Sequence, residues 1–251
     1  MRAYLLAFAL SFTAATAVAE EAVPAPAPMA EVADQLPAAV AAYAELLAAI
    51  EQAQTPSSLE ALFEVGDAAQ AALMRIEGDR AWLERQTPER FARAREAMRG
   101  YVLNTGDDIY ALPDLKFYVD LAKRRGRPAD VAFFSLSKQA EGSNFLPLYL
   151  QEKLPTPCVR YGERIVNELY EAWGNYAKSY PKNYAQWSKQ YLRDLEEVMV
   201  LGTCACGDAA SVQKDQAEFL RRFPKNPVRK DVEKRMSELK TQSNVQPVNC
   251  R

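Results

Sequence analysis

Two short stretches, Tyr180-Pro181-Lys182-Asn183 and Phe223-Pro224-Lys225-Asn226, repeat one punctuation mark 43 residues apart. In each, an aromatic closes one apolar stripe and Pro-Lys-Asn interrupts the chain before another begins. Val166, Leu169, Tyr170, Trp173, Ala177 and Tyr180 precede the first mark, and Tyr184, Trp187, Tyr191, Leu195 and Val198 follow it as far as Gly202. Val212, Phe219, Leu220 and Phe223 precede the second, and Val228, Val232, Met236 and Leu239 follow it. Spacings of three and four place each set on one helical face. Proline ends a helix, and asparagine is well suited to cap the next. Each mark therefore predicts a turn between two amphipathic helices.

The rest of the chain speaks the same way. Ten glycines in 251 residues, with abundant Ala, Leu, Glu, Arg and Lys, favour helix nearly throughout. Leu36, Val40, Tyr43, Leu47 and Ile50 define a first helix. Thr55-Pro56 reads as an N-cap with proline in the first turn, leading to Leu59, Leu62, Phe63, Leu73 and Ile76. Thr87-Pro88 repeats the device before Phe91 and Met98. Residues 112–125 end at Gly126, and Pro128 restarts a helix through Phe133, Phe134 and Leu136. The expected fold is all-α: helical hairpins packed as a bundle or short α-solenoid, with a disulfide-braced C-terminal half.

Residues 163–240 resemble tetratricopeptide-type helical-hairpin repeats. Residues 217–239 (AEFLRRFPKNPVRKDVEKRMSEL) look like the closing helix of one repeat and the opening helix of the next. The 43-residue offset departs from that family's period of about 34. The resemblance implies a protein-binding scaffold. Six tyrosines and two tryptophans fall between Tyr161 and Tyr191. Their spacing assigns them first to packing between helices. Tyr161 and Tyr176 lie off the main stripe and are the tyrosines where a surface contact is expected.

The four cysteines are Cys158, Cys204, Cys206 and Cys250. Residues 203–208, TCACGD, hold the central pair between the two hairpins, so a bridge from either end closes one hairpin. In an exported chain an even count reads as structural disulfides, each worth roughly 4 kcal/mol through loop closure. The preferred pairing is Cys158–Cys204 with Cys206–Cys250, and the crossed arrangement is second. A direct Cys204–Cys206 bridge is the thiol-redox alternative, and four converging thiolates the metal-binding one.

The N-terminal composition sets the compartment. Arg2, an apolar run containing Leu5, Leu6, Phe8 and Leu10, and Ala17-Val18-Ala19 match a secretory signal over residues 1–19. A Pro/Ala-rich tether over 20–30 follows, then an N-terminal helical region (31–155) and a C-terminal hairpin region with the four cysteines (156–251). The expected location is the bacterial periplasm or another secreted destination, with no stable membrane insertion once the signal is cut. A formal net charge of −2 gives no electrostatic case for nucleic acid, and residues 123–127 (KRRGR) read as cations at a helix C-terminus.

Chemistry is narrowed by one absence: there is no histidine. Ser-His-Asp and Cys-His catalysis and His-ligated zinc are thereby excluded, and no phosphate-loop or dinucleotide glycine pattern occurs. Asp107 and Asp108, in the loop formed by residues 104–108, suit turn formation and leave a carboxylate-based cell-wall hydrolase as an alternative. Asp194, Glu196 and Glu197 read as a solvated helix face. No catalytic residue, metal or cofactor is nominated. The expected role is binding another envelope or secreted protein as an inhibitor, adaptor or assembly factor, one concrete version being an immunity protein against a periplasmic toxin.

Overall fold

A single buried carboxylate organises the beginnings of three helices. The computed structural model describes residues 36–142, 145–152, 156–201 and 204–241. The expected signal and tether, and Cys250, lie outside the described residues. The described residues, from Leu36 on, cluster as one compact unit.

The main elements are helices: α1 (Ala38–Gln52), α2 (Glu60–Leu73), α3 (Pro88–Ala97), α4 (Leu115–Arg125), α5 (Pro128–Ala140), α6 (Ile165–Ser179), α7 (Ala185–Leu201), α8 (Ala209–Arg222) and α9 (Arg229–Thr241). Neighbours in sequence pack together as α1 with α2, α4 with α5, α6 with α7, and α8 with α9, while α5 lies against α6 and α9 against α7. The apolar stripes explain the pairing. Val40, Tyr43, Leu47 and Ile50 of α1 are buried against the α2 face carrying Leu62, Phe63, Ala69 and Leu73. Among the described residues no helix is long and apolar enough to cross a membrane.

The chain is mostly helical rather than all-α. Among the described residues three small antiparallel hairpins interrupt it: β1 (Ile76–Glu77) with β2 (Arg80–Ala81), β3 (Tyr101–Thr105) with β4 (Ile109–Pro113), and β5 (Leu150–Gln151) with β6 (Cys158–Val159). Ile76, expected on the stripe of α2, is instead in β1 and 72% exposed. The segment read as a plain loop is the tip of the second hairpin. Thr105 pairs with Ile109, and Tyr101, Leu103 and Ala111 point inward. The period-two burial of Tyr101 and Leu103 is the strand signal there. Gly100, at φ 93°, makes the entry turn and lies where a Cβ would collide with the Phe117 ring.

Helix starts divide into those fixed locally and those fixed at long range. Thr87 caps α3, its hydroxyl accepting from Arg90 N–H at 3.4 Å with Pro88 in the first turn. Asp114 caps α4 by accepting from the N–H groups of Lys116 and Phe117 at 2.9 and 3.2 Å. Lys123, Arg124 and Arg125 occupy the last turn of α4, where cations oppose the helix dipole. The expected cap at Thr55 fails: α2 begins at Glu60, and Leu59 N–H donates to Asp130 Oδ1 at 2.9 Å. Neither Pro-Lys-Asn asparagine caps its helix as expected. The Asn183 N–H donates to the Tyr180 carbonyl, and the Asn226 side chain donates to the Phe223 carbonyl, so both close the turn behind them.

Asp130 is 1% exposed. Besides Leu59, it takes Tyr184 O–H on Oδ1 at 2.6 Å and Arg127 N–H on Oδ2 at 2.7 Å. Leu59, Arg127 and Tyr184 immediately precede α2, α5 and α7. Glu60 adds a fourth tie, accepting Tyr184 N–H at 2.6 Å. Over this knot lies an aromatic cluster in which Phe133 stacks on Tyr184 at 3.9 Å and Phe63 meets Tyr118, Phe133 and Phe134 edge-on.

A second polar group holds the C-terminal helices. Asp215 is fully buried; its Oδ2 accepts Gly162 N–H at 2.8 Å, and its carbonyl accepts from the Asn167 side chain at 3.1 Å. Gln216 donates to the Met199 carbonyl at 2.9 Å. Tyr161 and Tyr176, expected at the surface, are buried at 4% and 5% exposure. The Tyr161 hydroxyl donates to the Val198 carbonyl at 2.5 Å, and Tyr176 reaches the Ala129 and Asn183 carbonyls at 3.4 Å. The inward stripe of α6 runs Val166, Leu169, Trp173, Tyr176. It carries the tyrosine that the alternative register, through Ala177 and Tyr180, left outside.

Two outcomes follow from these buried carboxyls. Asp130→Ala strands two buried donors and the part-buried Arg127 amide, and is expected to lower unfolding free energy by roughly 3–5 kcal/mol in denaturant titrations. Tyr184→Phe, which removes one donor, is expected to cost about 1.5 kcal/mol. Burial holds the Asp215 carboxyl above its ordinary value of 3.8, against the Gly162 and Arg164 amides that lower it. Its native form therefore binds a proton more tightly than the unfolded chain does. Its contribution to stability is full below 3.8 and declines as pH rises to the raised native value. Stability curves of Asp215→Asn across that window should lack this decline.

Candidate binding pocket

Trp173 and Tyr191 stack face to face at 4.2 Å and, with Leu169 and Leu195, bring α6 and α7 together as the floor of a cavity of about 210 Å3. The walls come from other elements. Leu112 and Pro113 end β4, Leu115 opens α4, Ser137, Ala140 and Glu141 stand at the end of α5, and Phe145, Leu146, Pro147 and Tyr149 form the irregular wall.

Local bonds shape that wall. Gly142 N–H donates to the Leu146 carbonyl at 2.7 Å, and Leu148 N–H to the Ala140 carbonyl at 2.8 Å, folding the segment back onto the end of α5. Phe145 has a left-handed backbone (φ 58°) and is 43% exposed, with its ring 5.5 Å from that of Tyr110 on β4. A bulky side chain in that region is sterically costly, and such residues concentrate where proteins contact ligands.

The irregular wall continues into β5, which pairs with β6. β6 is held from two directions. Val159 N–H donates to the Cys204 carbonyl at 2.7 Å, and Cys206 N–H donates to the Val159 carbonyl at 2.9 Å. Cys158 is bonded to Cys206. The preferred pairing of Cys158 to Cys204 is thus corrected to Cys158–Cys206. With Val159 clasped between residues 204 and 206, the Cα atoms of Cys158 and Cys206 lie 5.0 Å apart, within disulfide reach. Cys204 is itself disulfide-bonded, and Cys250 lies outside the described residues. With Cys206 bonded to Cys158, the pair does not form the direct Cys204–Cys206 bridge that the redox alternative required. Among the described residues no group of three or more potential metal ligands comes together.

Charge in the pocket is one-sided. Glu141 and Asp194 are among its lining residues, and no lysine or arginine is among the described ones. Glu141 is paired with Lys138. Asp194 accepts from the Gln190 side chain at 2.6 Å and makes no ion pair among the described residues. The Tyr149 phenol is pushed up to about 12, chiefly by burial and then by the negative charges of Asp194 and Glu197. Burial likewise raises Tyr191, against a hydrogen bond to Ser137.

Asp194 therefore lines the pocket and is not simply on a solvated helix face, while Glu196 accepts the Tyr170 hydroxyl at 2.7 Å. Asp107 and Asp108 are exposed on the β3–β4 tip, where the Asn104 side chain donates to the Asp108 carbonyl at 2.5 Å. They do not line the pocket. Sequence reading missed Phe145 and Tyr149. The available signal was the apolar run at residues 145–150 (FLPLYL), which belongs to no helical stripe.

Compared with known proteins, the chain matches no family model, no curated protein and no solved structure.

The clasp leads to a prediction. Replacing both Cys158 and Cys206 by alanine frees β6, and through β5 the Tyr149 side of the pocket. Hydrogen exchange should accelerate most across residues 145–151 and 158–160, and less in α1 and α2. Global stability should fall by roughly 2–5 kcal/mol.

Proposed function

We propose that this is an exported, non-enzymatic protein-binding protein of the cell envelope, acting as an inhibitor, adaptor or assembly factor. The observation that carries the reading is the apolar pocket with an exposed, left-handed Phe145 at its wall. Its volume of about 210 Å3 is below the 300–1,000 Å3 or so typical of small-molecule sites. That size suits one anchoring side chain of a partner, the kind of contact that concentrates binding energy in protein interfaces. The signal-like N-terminus and the paired cysteines support an exported location, in the periplasm or beyond the cell. The lack of histidine supports a role without the commonest acid–base chemistry.

The helical hairpins supply the scaffold in this reading, stacked as a bundle or short solenoid in the manner of the tetratricopeptide-type repeats they resemble. Neutralisation of a toxin delivered to the periplasm is the concrete version: a stoichiometric complex would block the toxin without turnover.

A photo-crosslinking residue in place of Phe145, in the producing cell, should give a discrete protein adduct. The same residue in place of the distant, exposed Ile76 should not. Ala140→Trp, which fills the pocket from α5, should weaken the purified complex more than tenfold while leaving the helical circular dichroism unchanged. Unchanged affinity in that variant would remove the pocket from the interface.

A further inference from the structure

We infer that the pocket receives an arginine side chain from the partner; this rests on the protein-binding reading and names the chemistry of its central contact. The cavity makes two demands. Leu169, Trp173 and Leu195 offer apolar surface, so the occupant must be apolar along its length. Asp194 offers a carboxylate unneutralised by any cation among the described residues, so the occupant must also carry positive charge.

The neighbouring charges sharpen the second demand. Glu141 already holds Lys138, leaving Asp194 to take the incoming cation. Glu197 acts on Tyr149 in the same direction as Asp194, so the negative potential extends beyond one residue.

Other occupants meet only one demand. A leucine or phenylalanine side chain would draw water from Asp194 without replacing its hydrogen bonds, which disfavours it. An acidic side chain would be repelled. A lysine ammonium is a compact, strongly hydrated charge and loses more on leaving water. Arginine lays three methylenes on apolar surface, stacks its weakly hydrated guanidinium on aromatic rings, and offers paired N–H groups to a carboxylate.

The test uses the oxidised full chain and capped pentapeptides of glycine and alanine with a central arginine, lysine, leucine or glutamate. Binding is followed by amide shifts at Tyr149, Asp194 and Leu195. The arginine peptide should bind most tightly and weaken about tenfold with Asp194→Asn, a fold-change typical of losing a close charge pair. Higher salt should weaken it further. The glutamate peptide should not bind. Equal binding of the leucine peptide, or indifference of the arginine peptide to Asp194→Asn, overturns the inference while the pocket remains a protein-contact site. Agmatine binding as tightly as the arginine peptide assigns the pocket to a small organic cation and also overturns it. The protein-binding reading fails by a different result: no discrete protein adduct from the photo-crosslinking residue in place of Phe145.

Discussion

The Asp130 carboxylate is the constraint on which the rest of the architecture depends. Burying a charge costs several kcal/mol unless hydrogen bonds replace its water. Here the replacements are the Leu59 and Arg127 amides and the Tyr184 hydroxyl. Each comes from the residue before a helix: the α2 and α5 ends meet the carboxylate through backbone N–H groups, where the helix dipole favours negative charge, and α7 meets it through the Tyr184 side chain. The favourable geometry exists only when α2, α5 and α7 start at the same place. That requirement joins Leu59 to Tyr184, residues far apart in sequence, and helps explain why the described residues form one unit.

Tyr184 shows what this convergence sustains. Its backbone is left-handed at φ 48°, which disfavours a side chain of that size. Four contacts impose it. Its N–H goes to Glu60, its hydroxyl to Asp130, its ring stacks on Phe133, and its carbonyl accepts Ser188 N–H at 2.9 Å to begin α7. The phenol is raised far above its ordinary value by burial first and by Asp130 second, so it stays a donor. Strain at one residue thus sets the direction in which α7 leaves the core, and α7 carries Tyr191, Asp194 and Leu195 to the pocket.

What the sequence made legible was local. The stripe of α1, the cap at Thr87, the cations ending α4 and the restart at Pro128 depend on contacts within a few residues, and they read correctly. The start of α2 did not, because its amide partner lies 71 residues away. The β3–β4 hairpin was obscured by five-residue strands set between strong helical patterns. In α6, two registers of apolar spacing competed, and only packing decided that Tyr176 goes in. The cysteine pairing was equally nonlocal. Spacing alone made Cys204 and Cys206 near-equivalent partners, and the Val159 clasp distinguished them. The pocket was least legible, since its floor and walls together come from five elements and the irregular segment around Phe145.

In the proposed protein-binding role, that distribution bears on how the chain would change partners. The pocket floor, Trp173 and Tyr191 above all, is also core, and substitutions there unsettle the α6–α7 hairpin. The walls are different. Leu112 and Pro113 end a small hairpin, and residues 145–149 form a turn held by backbone bonds that do not depend on side-chain identity. The Cys158–Cys206 bond anchors that turn through β6 and β5 without entering the cavity. A brace placed behind an irregular wall keeps the wall ordered while leaving its side chains free to vary. Loops on a rigid scaffold serve binding for this reason, and here the disulfide makes the irregular wall part of the scaffold.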